Sequence, residues 1–257
     1  MPCVKPLAAQ AELVYVYDGS LDGFFCCVYE SVYSHICPSE ILSEADFEPT
    51  LLETRHIETN AQKAARVKNS IPQKISPRAM ELVLTVFCSR LHQKELRLLE
   101  FLLRAYLEGA GLCLKLGDAA VAPLLRAERH VLGEAHLLRG FVRFSDVGGA
   151  LVSVISPKNY VLPFIANYFI SRYDKESFMI FDKTNKAALV YQNANAEILK
   201  ADSIDFPLLT EDEARYRALW KHFYDTVAIV GRENPKCRRS HMPKRYWENM
   251  PEMKDQN

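Results

Sequence analysis

Residues 140–192 decide the fold, and they read GFVRFSDVGGALVSVISPKNYVLPFIANYFISRYDKESFMIFDKTNKAALVYQ. At Gly140 the spacing of apolar residues changes from the helical period of the preceding segment to short β-forming runs. The runs 141–144 and 150–155 flank DVGG at residues 146–149, whose paired glycines favour a tight turn. This pattern predicts a β-hairpin.

An aromatic segment connects this hairpin to a second one. Apolar and aromatic residues recur at helical spacing over residues 159–173, which predicts a helix that packs on the sheet, in preference to a surface that stacks nucleic-acid bases. The β-forming runs 178–181 and 187–191 then flank turn residues at 182–186. The resulting order, β-β-α-β-β, is typical of an antiparallel sheet with a helix on one face.

The segment before this core begins with one strand. Residues 13–17 form a compact β-forming run that ends at Asp18-Gly19-Ser20, and Ser20 or Asp22 can cap a helix that continues to about Tyr33. A polar loop and a short strand near residues 51–59 follow.

The remaining length predicts one domain. Residues 60–139 are mostly helical in pattern, and residues 210–250 contain a C-terminal helix and a basic segment. We therefore expect a single α+β domain over residues 13–250. In it, the antiparallel sheet of residues 140–192 is joined by the N-terminal strand and surrounded by helices.

The basic segment is the strongest candidate for a binding surface. The chain has 32 basic and 32 acidic residues and no formal net charge, so affinity for nucleic acid must depend on local clustering. Between Arg232 and Trp247 six Lys or Arg residues stand against one acidic residue, Glu233. This excess predicts contact with phosphates, although a solvated charged face is the competing interpretation. The predicted nucleic-acid-binding residues are Lys236, Arg238, Arg239, Lys244 and Arg245.

The two tryptophans of the chain flank this segment. We expect residues 220–232 and the Tyr246-Trp247 pair to have mainly structural roles, in which they fix the last helix and the tail to the body of the protein. Residues 236–245 are the part expected to face a partner.

Several classes of activity have no support in the sequence. The seven cysteines form no CxxC pair, which argues against zinc ribbons and is typical of reduced thiols in a cytoplasmic protein. No apolar run approaches the length of a membrane span. His130 and Glu134 lie four residues apart, but an exposed helical pair is favoured over a metal site because no further ligands are evident. We expect no metal and no cofactor.

Three motifs in order resemble a known family. They are YDGSLDGFF at residues 17–25, LLRGFVRF at 137–144, and RENP with MPKRYW at 232–247. The chain is similar, from Tyr15 to Trp247, to bacterial proteins described as probable DNA metabolism proteins. These are encoded beside a radical SAM protein related to DNA-repair lyases, and a similar domain is fused to uracil-DNA glycosylase-like proteins. The chain departs from the family pattern at Phe178 and at Thr184-Asn185.

The resemblance implies a setting in DNA repair without supplying catalytic residues. It favours an accessory protein that binds DNA, including single-stranded DNA, and works with the radical SAM protein. One alternative is a protein-interaction scaffold for that protein without DNA contact. Another is an uncharacterised enzyme acting on a nucleobase or nucleotide. Because P-loop, Rossmann, GxSxG and HExxH motifs are all missing, a non-catalytic role is favoured.

The enzyme alternative requires one candidate cleft. Alternation along a strand would place Phe141 and Arg143 on the same face of the sheet, where an arginine beside an aromatic ring could stack bases. The C-terminal segment could equally cover Arg143. The residues that would converge in the cleft are Asp18, Asp22, Arg143, Asp182 and Arg232.

Overall fold

The computed structural model describes residues 9–204, 210–229, 231 and 234–256 of the chain. The chain divides into two compact units, Met1–His130 and Val131–Asn257, and each is described by itself below. The single domain over residues 13–250 stays a prediction.

The described residues of the first unit form a small sheet and four α-helices that precede α5 (Val121–Phe141). Its strands are β1 (Ala9–Tyr17), β2 (Ile36–Ser43) and β3 (Glu53–His56), and its helices are α1 (Leu21–Ser34), α2 (Ala61–Lys74), α3 (Pro77–Phe87) and α4 (Lys94–Glu108). A short 3-10 helix, Ala110–Leu114, follows, and helix α5 (Val121–Phe141) crosses the boundary between the units.

The described residues of the second unit form five strands. They are β4 (Ser145–Val147), β5 (Ala150–Ile155), β6 (Phe178–Asp182), β7 (Ala187–Gln192) and β8 (Asn195–Lys200). Its further helices are α6 (Leu162–Arg172), α7 (Glu211–Val227) and α8 (Pro235–His241), and the chain continues in the 3-10 helices Lys244–Asn249 and Pro251–Gln256.

The sheet of the first unit is parallel, with the strand order β2-β1-β3. Its central strand is buried throughout residues 13–17, as expected for a strand flanked on both edges. The predicted strand and the following helix are confirmed, and Ser20 caps that helix by accepting from the Gly23 N–H. The polar loop predicted after it is wrong in part, because β2 carries Pro38, Ser39 and Glu40 within an edge strand.

The sheet of the second unit has the order β4-β5-β6-β7-β8. The α+β class is confirmed, but the fully antiparallel sheet is not, since β5 and β6 pair in parallel. Helix α6 connects them, and a connection of that length allows a parallel neighbour. The N-terminal strand was expected in this sheet but belongs to the three-stranded sheet of the first unit.

The first predicted hairpin exists but starts later than expected. Helix α5 continues to Phe141, so the strand predicted at 141–144 is wrong and β4 is limited to Ser145–Val147. The turn lies at Gly148 and Gly149, which have φ angles of 63° and 88° and so suit a two-residue hairpin. Arg143 therefore lies in the connection between helix and strand.

The core of the second unit is aromatic. Phe144 packs edge-on against Phe169, Tyr173 and Phe178, with ring centroids 5.6, 5.1 and 5.9 Å away. The predicted packing of the aromatic helix on the sheet is thereby confirmed for Phe169 and Tyr173, since Phe178 belongs to β6.

Candidate nucleic-acid interface

Two short helices carry the basic segment. Asn234 caps α8 by accepting from the Cys237 N–H at 2.9 Å, and Pro235 takes the first helical position, where its missing N–H costs nothing. Lys236 and Arg239 project from α8 and are exposed, and so is Lys244 at the start of the next 3-10 helix.

Trp247 anchors this segment to the second unit. Its ring is 2% exposed, and its Nε1–H donates to the Met242 carbonyl at 3.0 Å. Arg238 and Lys244 each place their charge 5.5 Å from the ring centroid, which is within cation–π range. The structural role predicted for Trp247 is confirmed.

Arg245 is held by a buried carboxylate. Its Nη2 lies 3.0 Å from the Glu134 Oε1 atom, and the Tyr246 hydroxyl donates to the same oxygen at 2.8 Å. Glu134 also accepts from the backbone N–H groups of Lys158 and Asn159, both at 2.9 Å. Arg245 therefore has a structural partner that a phosphate would have to replace.

The hydrogen bonds around Glu134 outweigh its burial. Burial would raise the pKa of this carboxyl group, but the donors from Lys158, Asn159 and Tyr246 hold its pKa below the ordinary value. The same neighbourhood raises the pKa of Tyr246, through burial first and then through the nearby Glu134 charge. The pair consequently keeps an ionised carboxylate and a protonated phenol at neutral pH.

Three cations of the segment have no acidic partner among the residues that the structure describes. Among the residues that the structure describes, no carboxylate lies within ion-pair distance of Lys236, Arg239 or Lys244. The Arg239 Nε–H donates to the Pro235 carbonyl at 3.1 Å. Glu248, close by in sequence, contacts Lys183 at 3.5 Å instead. In its described part, the segment therefore presents positive charge that no nearby carboxylate compensates.

Arg143 is engaged by the C-terminal end of the chain. Its Nε and Nη2 atoms donate to one oxygen of Glu252, at 2.9 and 2.7 Å, and its Nη1 donates to the Gly140 carbonyl at 2.8 Å. The Glu252 side chain is 1% exposed. The sequence-based alternative that the C-terminal segment covers Arg143 is confirmed.

Asp182 shapes the β6–β7 turn. Its Oδ1 accepts from the backbone N–H groups of Thr184 and Asn185, both at 3.0 Å, and its Oδ2 accepts from the Asn185 amide at 2.7 Å. The residue is fully buried, and this burial raises the pKa of its carboxyl group. These contacts give Asp182 a local structural task.

Two further members of the candidate cleft belong to the first unit. Asp18 and Asp22 lie in the first unit, where the Asp18 carboxylate accepts from Ser20 and Thr59 at 2.7 and 2.8 Å. Asp22 occupies the first turn of α1, where a negative charge favours the helix. Arg232 lies outside the described residues.

Helix α7 presents an apolar stripe that the sequence reading missed. Its members follow the helical spacing i, i+3, i+4, i+7 and i+11, and each is between 41% and 68% exposed. They are Tyr216, Leu219, Trp220, Phe223 and Val227. Trp220, for which a structural role was predicted, is 41% exposed. Its ring lies 5.7 Å from the Phe223 ring and 5.5 Å from the Arg143 guanidinium.

The sequence signal for this stripe is the helical spacing of its apolar side chains. The packed face of α7 carries Glu213, Arg217 and Tyr224, a mostly polar set. Glu213 accepts from Arg217 at 2.8 Å and from the Asp146 N–H at 3.2 Å. The usual interpretation of an amphipathic helix places its apolar stripe in the core. In α7 the apolar stripe faces solvent instead.

Metal and membrane sites find no support in the described part of the chain. No group of three or more His, Cys, Asp or Glu side chains converges there in a way that could hold a metal ion. None of the helices described has the length and apolar character needed to cross a bilayer.

Comparison with known proteins gives one match. A family model described as a domain of unknown function, DUF4130, matches residues 92–252, which is more than half of the chain. No curated protein and no solved structure matches.

Proposed function

The chain belongs to the DUF4130 family, and from this premise we propose that it is a nucleic-acid-binding accessory protein of DNA metabolism. The proposal takes its setting from the motifs that resemble probable DNA metabolism proteins. It takes its chemistry from the basic segment of the second unit. Under this proposal, the chain binds DNA and works beside a radical SAM enzyme that catalyses the reaction.

The uncompensated charge of Lys236, Arg239 and Lys244 carries this proposal. Phosphate oxygens accept from Lys and Arg side chains, and each contact releases counterions from the nucleic acid. The segment is also fixed: Asn234 caps α8, and Trp247 anchors the residues that follow. A segment whose backbone is already fixed loses less conformational entropy on binding than a mobile tail does.

A salt titration tests the proposal. Binding of a labelled 30-nucleotide single strand and of its duplex is measured by fluorescence anisotropy from about 25 to 300 mM NaCl. Replacing Lys236, Arg239 and Lys244 with Gln is expected to reduce the slope of log K against log salt by about 2 to 3, since each phosphate contact contributes about 0.7 to 0.9.

The control removes the same charge elsewhere. Lys68, Arg126 and Lys175 are exposed, and replacing these three with Gln changes net charge equally. An unchanged slope in this variant is expected. The proposal fails if neither nucleic acid binds at low salt, or if the control lowers the slope as much as the test variant.

The apolar stripe of α7 favours a second candidate function, docking of the radical SAM protein. Exposed apolar residues in one contiguous row are typical of protein interaction sites, and a helix that presents i, i+3, i+4 and i+7 anchors fits a complementary groove. This candidate corresponds to a scaffold, and it is compatible with DNA binding by the separate basic segment.

Co-purification distinguishes the two surfaces. Leu219→Ser with Phe223→Ser is expected to abolish a complex with the radical SAM protein, whereas Ala218→Ser with His222→Ser, on another face of α7, leaves it intact. Charge reversal at Arg238, Arg239 and Lys244 is expected to spare the complex. Loss of the complex in the charge-reversed protein alone would overturn the docking role of α7.

A further inference from the structure

The first unit contains a groove that the proposed function leaves unassigned. It lies between α1, α2 and α4 and has a volume of about 800 Å³, which is in the range of small-molecule sites. Its apolar lining includes Val28, Val67 and Leu103, together with Val32 and Leu107, which are 37% and 60% exposed. An apolar wall that is left open in this way is available to a ligand.

A stacked aromatic pair forms one wall of the groove. The rings of Tyr29 and Tyr33 stand one turn apart on α1, with centroids 4.2 Å apart and an angle of 21° between their planes. Tyr33 is 57% exposed. The Arg66 guanidinium fixes the pair by donating to the Tyr33 hydroxyl at 2.8 Å and lying 5.6 and 5.7 Å from the two ring centroids.

The charge of the groove has one sign. Arg66 and Lys74 line it, and no Asp or Glu side chain of the described residues does so. The acidic residues adjacent in sequence to the lining residues form ion pairs with basic residues outside the groove. Glu30 lies 3.8 Å from Arg55 and 3.9 Å from Lys63, and Glu108 lies 3.0 Å from Arg104 and 2.7 Å from Lys115. The groove therefore favours an anionic group.

The remaining polar groups suit the edge of a flat heterocycle. Asn69 and Gln73 line the groove from α2 and share a helix face with Arg66, at spacings of three and seven residues. Their amides offer both donors and acceptors, the combination that recognises nucleobase edges. A hydrogen bond of 2.5 Å between Ser70 and Tyr106 closes the side near α4.

We propose that the groove between α1, α2 and α4 is a binding site for a nucleoside monophosphate. The base stacks on the exposed face of Tyr33 and contacts the amides of Asn69 and Gln73. The phosphate pairs with Arg66 and Lys74. The site is distinct from the basic segment and does not depend on the function proposed for it.

Four probes separate the parts of this proposal. They are adenosine 5′-monophosphate (ring and anion), adenosine (ring), inorganic phosphate (anion) and decanoate (aliphatic chain and anion), each titrated into the full chain by calorimetry. The monophosphate is expected to bind most tightly. Tighter binding of decanoate, or no binding of the monophosphate up to millimolar concentration, would overturn the proposal.

Matched variants locate the site. Arg66→Gln is expected to weaken binding of the monophosphate about 10-fold or more, because a charge-assisted hydrogen bond to phosphate is lost. Binding of adenosine is expected to weaken by a smaller factor, because adenosine loses only the donor that fixes Tyr33. Lys68→Gln removes the same charge two residues away on α2, outside the groove, and is expected to bind as the unmodified chain does.

Leu107→Trp provides a test that does not depend on charge. Residue 107 is exposed at the groove rim, so the larger side chain can be accommodated without disturbing the core and is expected to block both nucleotide and nucleoside. Equal binding by the unmodified, Arg66→Gln and Leu107→Trp proteins, with unchanged thermal unfolding, would show that the ligand binds elsewhere.

Discussion

Glu134 is the residue on which the C-terminal segment depends most directly. Five donor groups converge on its carboxylate, from Lys158, Asn159, Arg245 and Tyr246. Its side chain is 3% exposed, so water cannot replace a lost donor. A buried charge that is satisfied in this way stabilises one arrangement of the elements it joins.

Glu134→Gln is expected to lower the free energy of unfolding at pH 7 by about 2 to 4 kcal/mol, because the amide brings an N–H₂ group against existing donors. Since folding lowers the pKa of Glu134, its ionised form contributes stability above the unfolded value of about 4.3, and this contribution is lost as pH falls through the lower folded pKa. The difference between the two proteins should therefore shrink in acid.

Urea unfolding at pH 7 and at about pH 3 measures this difference. Glu248→Gln is the control, because that carboxylate is 65% exposed and its contact with Lys183 is 3.5 Å long; a change below about 0.5 kcal/mol is expected. A constant difference between Glu134→Gln and the unmodified chain across this pH range would contradict the role assigned to the charge.

Gly23 is required by a close approach in the first unit. A Cβ atom there would lie 2.2 Å from the Asp18 Oδ1 atom and 2.9 Å from the Tyr17 ring. Gly23→Ala is expected to lower the free energy of unfolding by more than about 2 kcal/mol, measured by urea titration, because the N-terminal cap of α1 must move.

Gly133→Ala is the matched control for this substitution. Gly133 lies inside helix α5. Apart from its two neighbours in the chain and the backbone of its own helix, no atom of the described residues lies within 4 Å of a Cβ placed there. Alanine is expected to raise the free energy of unfolding by about 0.5 to 1 kcal/mol. Similar losses at both positions would rule out the close approach as the cause.

At the scale of elements, the two tryptophan-bearing helices differ in exposure. Trp220 on α7 is 41% exposed, and Trp247 in the C-terminal 3-10 helix is 2% exposed. In Trp247→Phe the remaining Trp220 fluorescence should be quenched steeply by acrylamide, whereas in Trp220→Phe the remaining Trp247 should be quenched weakly. Equal quenching would contradict the exposed stripe of α7.

The same two variants should also differ in stability, and Trp247→Phe is expected to lose more free energy of unfolding than Trp220→Phe. Trp247→Phe loses the hydrogen bond to the Met242 carbonyl and weakens two cation–π contacts, so a loss of about 1 to 3 kcal/mol is expected in thermal or urea unfolding. Trp220→Phe is expected to change the free energy of unfolding by less than about 1 kcal/mol.

The elements that the sequence could predict are those with strong local signals. Gly148 and Gly149 require positive φ and mark the β4–β5 turn, and Ser20 marks the start of α1. The turn before β8 lacks this signal, because Asn193 and Ala194 take positive φ without glycine. Strand β8 is exposed along its length, so its sequence shows no buried alternation.

The sequence could predict which residues make up the candidate site, but it could not predict how their side chains are arranged. Local excess of Lys and Arg identifies residues 236–245 without any structure. Which cations are free depends on partners far along the chain: Glu134 lies 111 residues from Arg245, and Glu252 lies 109 residues from Arg143. Periodicity and spacing carry no information about such pairs.

At the scale of the whole molecule, the thiols should report the folded state. Cys237 is exposed, and Cys26, Cys27, Cys37 and Cys113 are buried. Burial raises the pKa of Cys27, and it raises the pKa of Cys88 to about 11 despite the nearby Lys94 charge. Low thiolate content and burial both slow reaction with a disulfide reagent.

The native protein is therefore expected to show a fast phase with a thiol-reactive disulfide that loses one equivalent in Cys237→Ser. The four buried thiols should react only in guanidinium chloride. Cys3 lies outside the described residues, and a Cys3→Ser variant identifies its contribution. An unchanged fast phase in Cys237→Ser would show that α8 is covered in the native protein.

The long sequence separation between Glu134 and its C-terminal donors also determines when the second unit can fold during synthesis. Tyr246 is added to the growing chain 112 residues after Glu134, which at about 5 to 20 residues per second corresponds to roughly 6 to 22 s. Until then the nascent second unit holds this carboxylate without two of its donors. Nearly all of residues 131–257 must be synthesised before the second unit can complete its core. Folding of this unit is therefore completed only when its synthesis is almost finished.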